Sequence, residues 1–353
     1  MTQSLSEVVI AVDAMGGDHA PDEIVAGVAR ATLESSTKVI LVGDRNRIDD
    51  ILSKTEHNPN QIEVVHTPVT ITNDDIPKIA IKQKPNASMV LAAKLCGEGK
   101  AQGLVSAGNT GAYVLAAAKH IPRIVGVRKT AIATVYPTQN AQKRKDHFAL
   151  LLDVGANIHC GVEDMVQFAL MGKLYASDIK GIPEPTVALL NIGKEPHKGG
   201  EVLTTVYEIL SKLPTVNFIG NIEGNDVMKG LADVVITEGF VGNIVMKTME
   251  GMAETMAHLG KYAYKHRFIW MLGMIALSGG IKKLKTVTDY SEYGGAPLLG
   301  FQKIVIKAHG RSKAKAITNA VKVAAKTYRD HVCEKIANEI AQFESHDYMD
   351  AIS

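Results

Sequence analysis

The sequence predicts an α/β protein built on a doubly wound, mostly parallel sheet, an α/β/α arrangement from which a helical hairpin protrudes. Three observations carry this. Short Val-, Ile- and Leu-rich runs alternate with amphipathic stretches. Most of the runs are continuously apolar, as strands covered on both faces are. Polar turns, most of them carrying glycine, follow the runs rather than scattering along the chain.

The predicted strands, in order, are Val8–Val12, Val39–Val42, Ile62–Val65, Gly103–Val105, Ala131–Val135, Phe148–Leu152, Val187–Leu190, Val216–Ile219, Val234–Ile236 and Ile304–Ile306. Between several of them lie helical patterns, among them Pro21–Leu33, Ala87–Cys96 and Gly200–Leu210. From Ser312 to about Phe343 the period is helical again, with Ala314, Ile317, Ala320, Val321 and Ala324 on one face, which predicts one long helix packed on the sheet. No low-complexity linker and no fixed repeat divides the chain. Its 353 residues therefore read as a single α/β/α unit, with 244–290 as an excursion from it.

Composition excludes several classes. With 46% hydrophobic and 22% charged residues the chain reads as a soluble globular protein. A net charge of +2, from 39 basic and 37 acidic residues, gives no global attraction to nucleic acid or membrane. The three cysteines, Cys96, Cys160 and Cys333, form no Cys-x-x-Cys pair, which speaks against a disulfide scaffold or structural zinc and for a reducing cytoplasm. The first residues, MTQSLSEVVIAVDA, have neither the basic region nor the long apolar run of a signal peptide.

Seven polar turns follow predicted strands: DAMGGDHAP (13–21), SAGNTGA (106–112), DVGAN (153–157), NIGKE (191–195), GNIEGND (220–226), TEGFVGN (237–243) and AHGRS (308–312). Any one is an ordinary turn or helix cap. As a set at strand carboxyl ends they describe a ligand cleft, where glycine lets backbone approach the ligand and helix N-termini offer amides to an anion. The stretch 103–110 has the spacing of a P-loop, but Asn109 replaces the lysine, so a nucleoside triphosphatase is a poor fit. A turn opening a helix at Thr110–Gly111 can still hold one phosphate-sized anion. The dinucleotide fingerprint is missing after the first strand, as are H-E-x-x-H and G-x-S-x-G. Charged candidates at the turns are Asp13, Asp18, His19, Lys194, Glu195, His197, Lys198, Glu223 and His309. Lys198 reads equally as an anion's point charge or as a solvated loop lysine.

The excursion has its own signature. Val245, Met249, Met252, Met256, Leu259 and Ala263 recur in steps of three and four, a helical seam. Ten apolar residues follow, FIWMLGMIAL (268–277), with Lys261, Lys265, His266 and Arg267 before them and Lys282, Lys283 and Lys285 after. A bilayer needs about 20 residues to be spanned, so this is no transmembrane helix. Two readings stand: a buried hairpin or dimer interface, or an apolar tip (Phe268, Trp270, Leu272) dipping into lipid while the basic flanks meet anionic headgroups.

Together AVDAMGGDHAP, SAGNTGA, LLDVGAN, LLNIGKE, FIGNIEGND, GFVGN and YGGAPLLG (293–300) closely resemble the phosphate acyltransferase PlsX family of bacterial phospholipid synthesis. The motifs occur in family order across nearly the whole chain. One departure is Glu238 in TEGFVGN, where many members have Asp; it matters only if that acid touches the ligand. The resemblance implies a fold similar to phosphotransacetylases and the isocitrate dehydrogenase-like group. It implies transfer of an acyl group from acylated acyl carrier protein to inorganic phosphate, and delivery of the acyl phosphate to a glycerol-3-phosphate acyltransferase. No metal and no cofactor is implied, nor any nucleic acid partner. A homodimer is implied, cytoplasmic and peripherally bound to the anionic inner face of the membrane.

On that reading Ser106, Gly108, Asn109, Thr110 and Gly111 hold phosphate, together with Asp13, Gly16, Gly17, Asp18, Asp153, Asn157, Glu223 and Asn243. Asn191, Lys198 and Asn221 line the reacting centre. His19 protonates the leaving thiolate, or else Asp18 and His19 only cap the helix that Pro21 starts. Lys265, Arg267, Lys282, Lys283 and Lys285 serve carrier protein, lipid or both. Two rival functions are an NAD(P)-dependent dehydrogenase on the related fold and a membrane-tethered scaffold that binds carrier protein.

Overall fold

The computed structural model describes residues 8–144, 147–287 and 294–345, without the side chains of 263, 274 and 281–287. Its first half runs β1 (Val9–Asp13), α1 (Asp22–Glu34), β2 (Lys38–Gly43), α2 (Arg45–Ser53), β3 (Ile62–His66), α3 (Pro77–Gln83), α4 (Ser88–Gly97), β4 (Gly103–Ser106) and α5 (Thr110–His120). Then come β5 (Ala131–Pro137), β6 (Phe148–Leu152), α6 (Val162–Asp178), β7 (Thr186–Leu190), α7 (Glu201–Lys212), β8 (Asn217–Ile222), α8 (Gly224–Val227) and β9 (Val234–Ile236). The chain ends with α9 (Gly239–His266), α10 (Phe268–Val287), β10 (Ala296–Leu299), β11 (Ile304–Lys307), α11 (Ala314–Arg329) and α12 (Val332–Ser345). All ten predicted strands are present, and the helices cover the sheet as the apolar runs require.

The sheet has eleven strands in the order β3-β2-β1-β4-β11-β10-β5-β6-β9-β7-β8. Pairing is parallel except at β11–β10, β10–β5 and β5–β6. These three reversals make the two parallel blocks run in opposite directions. Register then decides where their carboxyl ends fall. Val12 pairs with Val105, Val105 with Ile306 and Ile306 with Pro297. One residue along β10, Leu298 pairs with Ile132, and one along β5, Ala133 pairs with Leu152. The end of β6 therefore comes level with the ends of β1, β4 and β11. Two oppositely directed blocks meet carboxyl end to carboxyl end, so turns from both face one region.

The core divides accordingly. Val12, Leu41, Val105 and Ile306 pack with α1 and α11 on one face, while Leu104, Ala116 and Tyr113 pack under α4 and α5 on the other. Leu150, Phe168, Leu189 and Ile236 form the core of the second block. The Tyr113 hydroxyl donates to the carbonyls of Leu104 (2.9 Å) and Ile306 (2.8 Å), which ties α5 to the two strands that end at the site.

Two expectations change. β10 was not predicted, because A-P-L-L between glycines reads as a turn; Ala296 and Pro297 pair with β11 and Leu298 and Leu299 with β5, so the short strand is shared between neighbours and tolerates its proline. The long C-terminal helix is two, α11 and α12, broken at Asp330 and at His331, whose φ is +56°. Buried Val332, Ile336, Ile340 and Phe343 continue the period across the break, which hides it in the sequence. In the excursion, 268–277 is helical. Arg267, in extended backbone, is the turn, and the apolar run forms the first half of α10.

Val245, Met246 and Met249 of α9 pack against the second block, whereas Met252, Met256 and Leu259 are exposed. The start of α9 fits tightly on the turn after β6: a Cβ at Gly242 would lie 1.9 Å from the Asp153 carbonyl oxygen. Gly242→Ala should therefore lower stability by about 1–3 kcal/mol. An unchanged urea midpoint for this variant would contradict the close seating of α9.

Candidate functional site

The turns at the ends of β1, β4 and β11 interlock. The Asp13 carboxylate, 1% exposed, accepts from the Ser88 hydroxyl (2.6 Å), the Ser106 hydroxyl (2.7 Å) and the Met15 amide (3.2 Å). Ser106 Oγ accepts in turn from the Gly108 amide (3.0 Å). Gly16 lies against Gly108: a Cβ there would meet the Gly108 nitrogen at 2.8 Å and Asp13 Oδ2 at 2.3 Å, so this glycine is demanded by close backbone approach. Gly17, at φ +113°, packs on Ala107 and the Gly310 carbonyl. The Asp18 amide donates to that carbonyl (2.9 Å), and its carboxylate accepts from Asn73 (3.1 Å).

Asn109 is the N-cap of α5. Its Oδ1 accepts from the Ala112 amide (3.0 Å), while its Nδ2 reaches the carbonyls of Thr72, Asn73 and Asp75. That side chain is spent on structure. The amides of Thr110 and Gly111, in the first turn, have no partner within the helix, and both residues are exposed. The α5 terminus thus keeps donors free for an anion.

Lys307 is the residue that sequence reading missed. It pairs with Ser106 in the sheet and is 8% exposed. Its Nζ donates to the Ala308 carbonyl, and no carboxylate among the described residues forms an ion pair with it. Burial pulls its pKa down to about 8, against the attraction of Asp13 and Asp18, and the Lys247 charge lowers it further. Burial likewise raises the Asp13 carboxyl, although the bonds from Ser88, Ser106 and Met15 and the Lys307 charge oppose that. The signal was at hand. Lys307 stands between the apolar run Ile304–Ile306 and the turn AHGRS, and a lysine ending a strand buried on both faces has few ways to reach water.

Helix α9 brings the second block to this place. Glu254 pairs with Arg311 (2.7 Å), and Lys247 pairs with Glu250 (2.7 Å). Burial lowers the His309 pKa, with Glu250 opposing and Arg311 and Lys247 reinforcing. The Arg311 amide donates to His309 Nδ1 (3.1 Å), which assigns the ring proton to Nε2.

The other sequence candidates fall elsewhere. Asp153 is fully buried and accepts five bonds: from the amides of Ile132, Gly155, Ala156 and Asn157 and from Asn157 Nδ2. Asn157 also donates to the Thr130 carbonyl (2.8 Å). Both shape the turn after β6, and exposed Asn243 lies beside its Gly155. Asn191, Lys198 and Asn221 form a separate group at the ends of β7 and β8. Asn191 Nδ2 donates to the Lys198 carbonyl (2.9 Å), and Asn221 Nδ2 to the Glu195 carbonyl (2.9 Å). Asn221 Oδ1 is buried without a partner. Six strand steps separate β4 from β7, roughly 29 Å along the sheet. Glu223 caps α8, where Asp226 holds Lys194 (3.0 Å) and Lys229 (2.8 Å). His19 is exposed. Neither its side chain nor that of Asp18 caps α1, whose first turn is met by the His19 carbonyl.

At the far end of α9, the Arg267 guanidinium lies 5.4 Å from the Trp270 ring centroid, and Phe268 and Leu272 are exposed. The side chains of Lys282, Lys283 and Lys285 lie outside the described residues. No helix among the described residues is long and apolar enough to cross a membrane.

A model of a family described as fatty acid synthesis protein matches residues 8–335. Proteins named phosphate acyltransferase match along almost their whole length. The one from Dictyoglomus turgidum is 46% identical over 93% of this chain and 96% of its own. The one from Desulfitobacterium hafniense strain Y51 is 44% identical over 95% and 98%. The chain belongs to the phosphate acyltransferase (PlsX) family. Among solved structures, a phosphotransacetylase from Streptococcus pyogenes superposes with a TM-score of 0.62 at 16% identity, over 91% of this chain and 94% of its own. A branched-chain phosphotransacylase from Enterococcus faecalis gives 0.54 at 15%, over 92% and 99%. These two share the doubly wound α/β fold. As a member of the family the chain is an acyltransferase of lipid synthesis.

One turn of the family pattern does measurable structural work. Lys229 and then Lys194 hold the Asp226 carboxyl down to about 2. A carboxyl depressed in the folded state stabilises it above the ordinary carboxylate range, and that contribution is lost as pH falls toward 2. Asp226→Asn should cost about 1–2 kcal/mol at pH 7, discounted for the half-exposed lysines, and the cost should vanish near pH 2. Equal losses at both pH values in urea titrations would contradict the assignment.

Proposed function

We propose that this acyltransferase moves a fatty acyl group from acyl-acyl carrier protein to inorganic phosphate, with the phosphate seated between the α5 N-terminus and Lys307. The observation that carries the reading is the buried Lys307 ammonium, free of any carboxylate ion pair among the described residues, level with Ser106 and hence with the turn that opens the free amides of Thr110 and Gly111. A cation and an amide pair held at one strand-end level suit a small, highly charged oxyanion.

Phosphate is already an anion at neutral pH, so a phosphate oxygen attacks the thioester carbon without a strong base. The carbonyl electrons move to oxygen, and the tetrahedral intermediate collapses with loss of the carrier thiolate, which takes a proton from water. The protein supplies position and charge. Lys307 and the α5 amides hold phosphate in place and offset its charge. Asp13 fixes Ser106, and through it the 106–108 turn. Arg311, held by Glu254, and His309 close the region from the α9 side. The exposed seam and tip of the α9–α10 hairpin suit a second copy of the chain and an anionic membrane surface on the cytoplasmic side. There the acyl phosphate would pass to a glycerol-3-phosphate acyltransferase. The founding experiment is to mix the enzyme, acyl-acyl carrier protein and phosphate, then assay acyl phosphate and free carrier; no acyl phosphate would refute the reading.

Two observations favour a second placement. Asn221 Oδ1 is buried and unpaired, and Lys198 has no carboxylate partner among the described residues. The two placements differ in kinetics. With phosphate at Lys307, kcat/KM for phosphate falls as pH rises through about 8, because the ammonium is charged below that pH and neutral above it. Lys307→Met should cost about 10²–10³-fold in kcat/KM, and Lys307→Arg should move the basic limb upward. Lys198→Ala should leave the phosphate KM unchanged. A raised phosphate KM in Lys198→Ala, with a wild-type pH profile in Lys307→Arg, would move the phosphate to the β7–β8 turns.

A further inference from the structure

Helix α3 and the segment before it make a surface that none of the site chemistry uses. Ile76 is 64% exposed, Ile79 47% and Leu115 of α5 40%. Ile76 is the N-cap of α3, and Ile79 lies in its first turn. Gly111, Leu115 and Lys119 are successive fourth residues on one stripe of α5, and Pro77 touches that stripe, since a Cβ on Gly111 would sit 2.8 Å from Pro77 Cγ. Pro77 thereby seats the start of α3 on the α5 N-terminus, and Ile79, two residues on and about 200° round the helix, lies on the outward face of α3.

Lysines surround it. Lys78, Lys82 and Lys119 are exposed and have no ion-pair partner among the described residues. Lys84 differs, because it is spent on Asp75 (2.6 Å). Asp74 adds one opposing charge at the edge. The segment is also fastened to the site: Asn109 Nδ2 holds the carbonyls of Thr72, Asn73 and Asp75, and Asn73 holds Asp18. An apolar patch with a free basic rim, anchored to the anion-binding turn, is the complement of an acidic helix that must deliver a thioester there.

We infer that the outward face of α3, with Ile76 and Ile79 flanked by Lys78 and Lys82 and with Lys119 of α5 nearby, docks the acidic acyl carrier protein. The inference rests on the proposed use of acyl-acyl carrier protein. It moves the docking site away from the basic end of α9. Glu254 of that helix holds Arg311 beside the site, and Lys265 lies eleven residues further on, ~17 Å along the axis. A carrier docked there would have to deliver its thioester across that gap, whereas the segment before α3 is hydrogen-bonded to the anion-binding turn itself. The basic end of the hairpin is thereby left to lipid.

The test compares Lys78→Glu/Lys82→Glu with Lys261→Glu/Lys265→Glu, all four being surface positions. In the α3 pair the KM for acyl-acyl carrier protein should rise at least tenfold and lose most of its dependence on salt. Its saturating kcat and phosphate KM should stay at the wild-type values. The hairpin pair should keep the wild-type carrier KM. An unchanged carrier KM in the α3 pair, or a tenfold rise in the hairpin pair alone, overturns the inference. If the wild-type enzyme makes no acyl phosphate, the underlying function fails instead. Fluorescence anisotropy of labelled carrier protein then decides the surface separately: binding lost in the α3 pair upholds it, and binding retained overturns it.

Discussion

Everything at the site turns on a lysine buried at the end of a strand. Lys307 and Asp13 flank Ser106 across neighbouring strands, both almost wholly removed from water, without the contact ion pair that would offset their desolvation. Burial favours the neutral form of each. A lysine whose folded pKa lies below its ordinary value costs stability at neutral pH, and the cost fades as pH rises past about 8. An apolar residue would be the more stable choice there. A retained cation is sensible if an anion arrives to complete the charge balance, and phosphate is the anion that the family chemistry requires.

The rest of the fold can be seen as the frame for that charge. Three antiparallel pairings in the middle of the sheet reverse the second parallel block and bring its carboxyl ends level with those of the first. Helix α9 starts against the turn that Asp153 organises and then runs past β11, where Glu254 takes Arg311. Asp153, Asn157, Asn109, Asn191 and Asp226 spend their side chains on holding turns in shape. Conformation-setting residues of this kind leave backbone amides as donors that an anion could use alongside Lys307.

Much of this was legible in the sequence. Continuous apolar runs gave ten strands because burial on both faces leaves no alternative composition. The glycine turns marked the strand ends, except that GNIEGND (220–226) begins inside β8. Site assignment was harder, since Asn and Asp at a turn look the same whether they bind a ligand or cap a helix, and Asn109 and Asp153 proved to be occupied by backbone. Grouping seven turns into one cleft also ignored strand order, which the chain does not display: the Asn191–Asn221 group lies six strands from Ser106. Lys307 escaped notice because its strand and its turn were read as separate features. Its burial depends on neighbours contributed from residues 13 to 106.

The central claim is that phosphate sits at Lys307 and the α5 N-terminus, and a crystal structure of the enzyme soaked in inorganic phosphate tests it most directly. Phosphate oxygens should lie within hydrogen-bonding distance of the Thr110 and Gly111 amides and of Lys307 Nζ. Phosphate bound instead by Lys198 and Asn221, with the α5 terminus empty, would contradict the account.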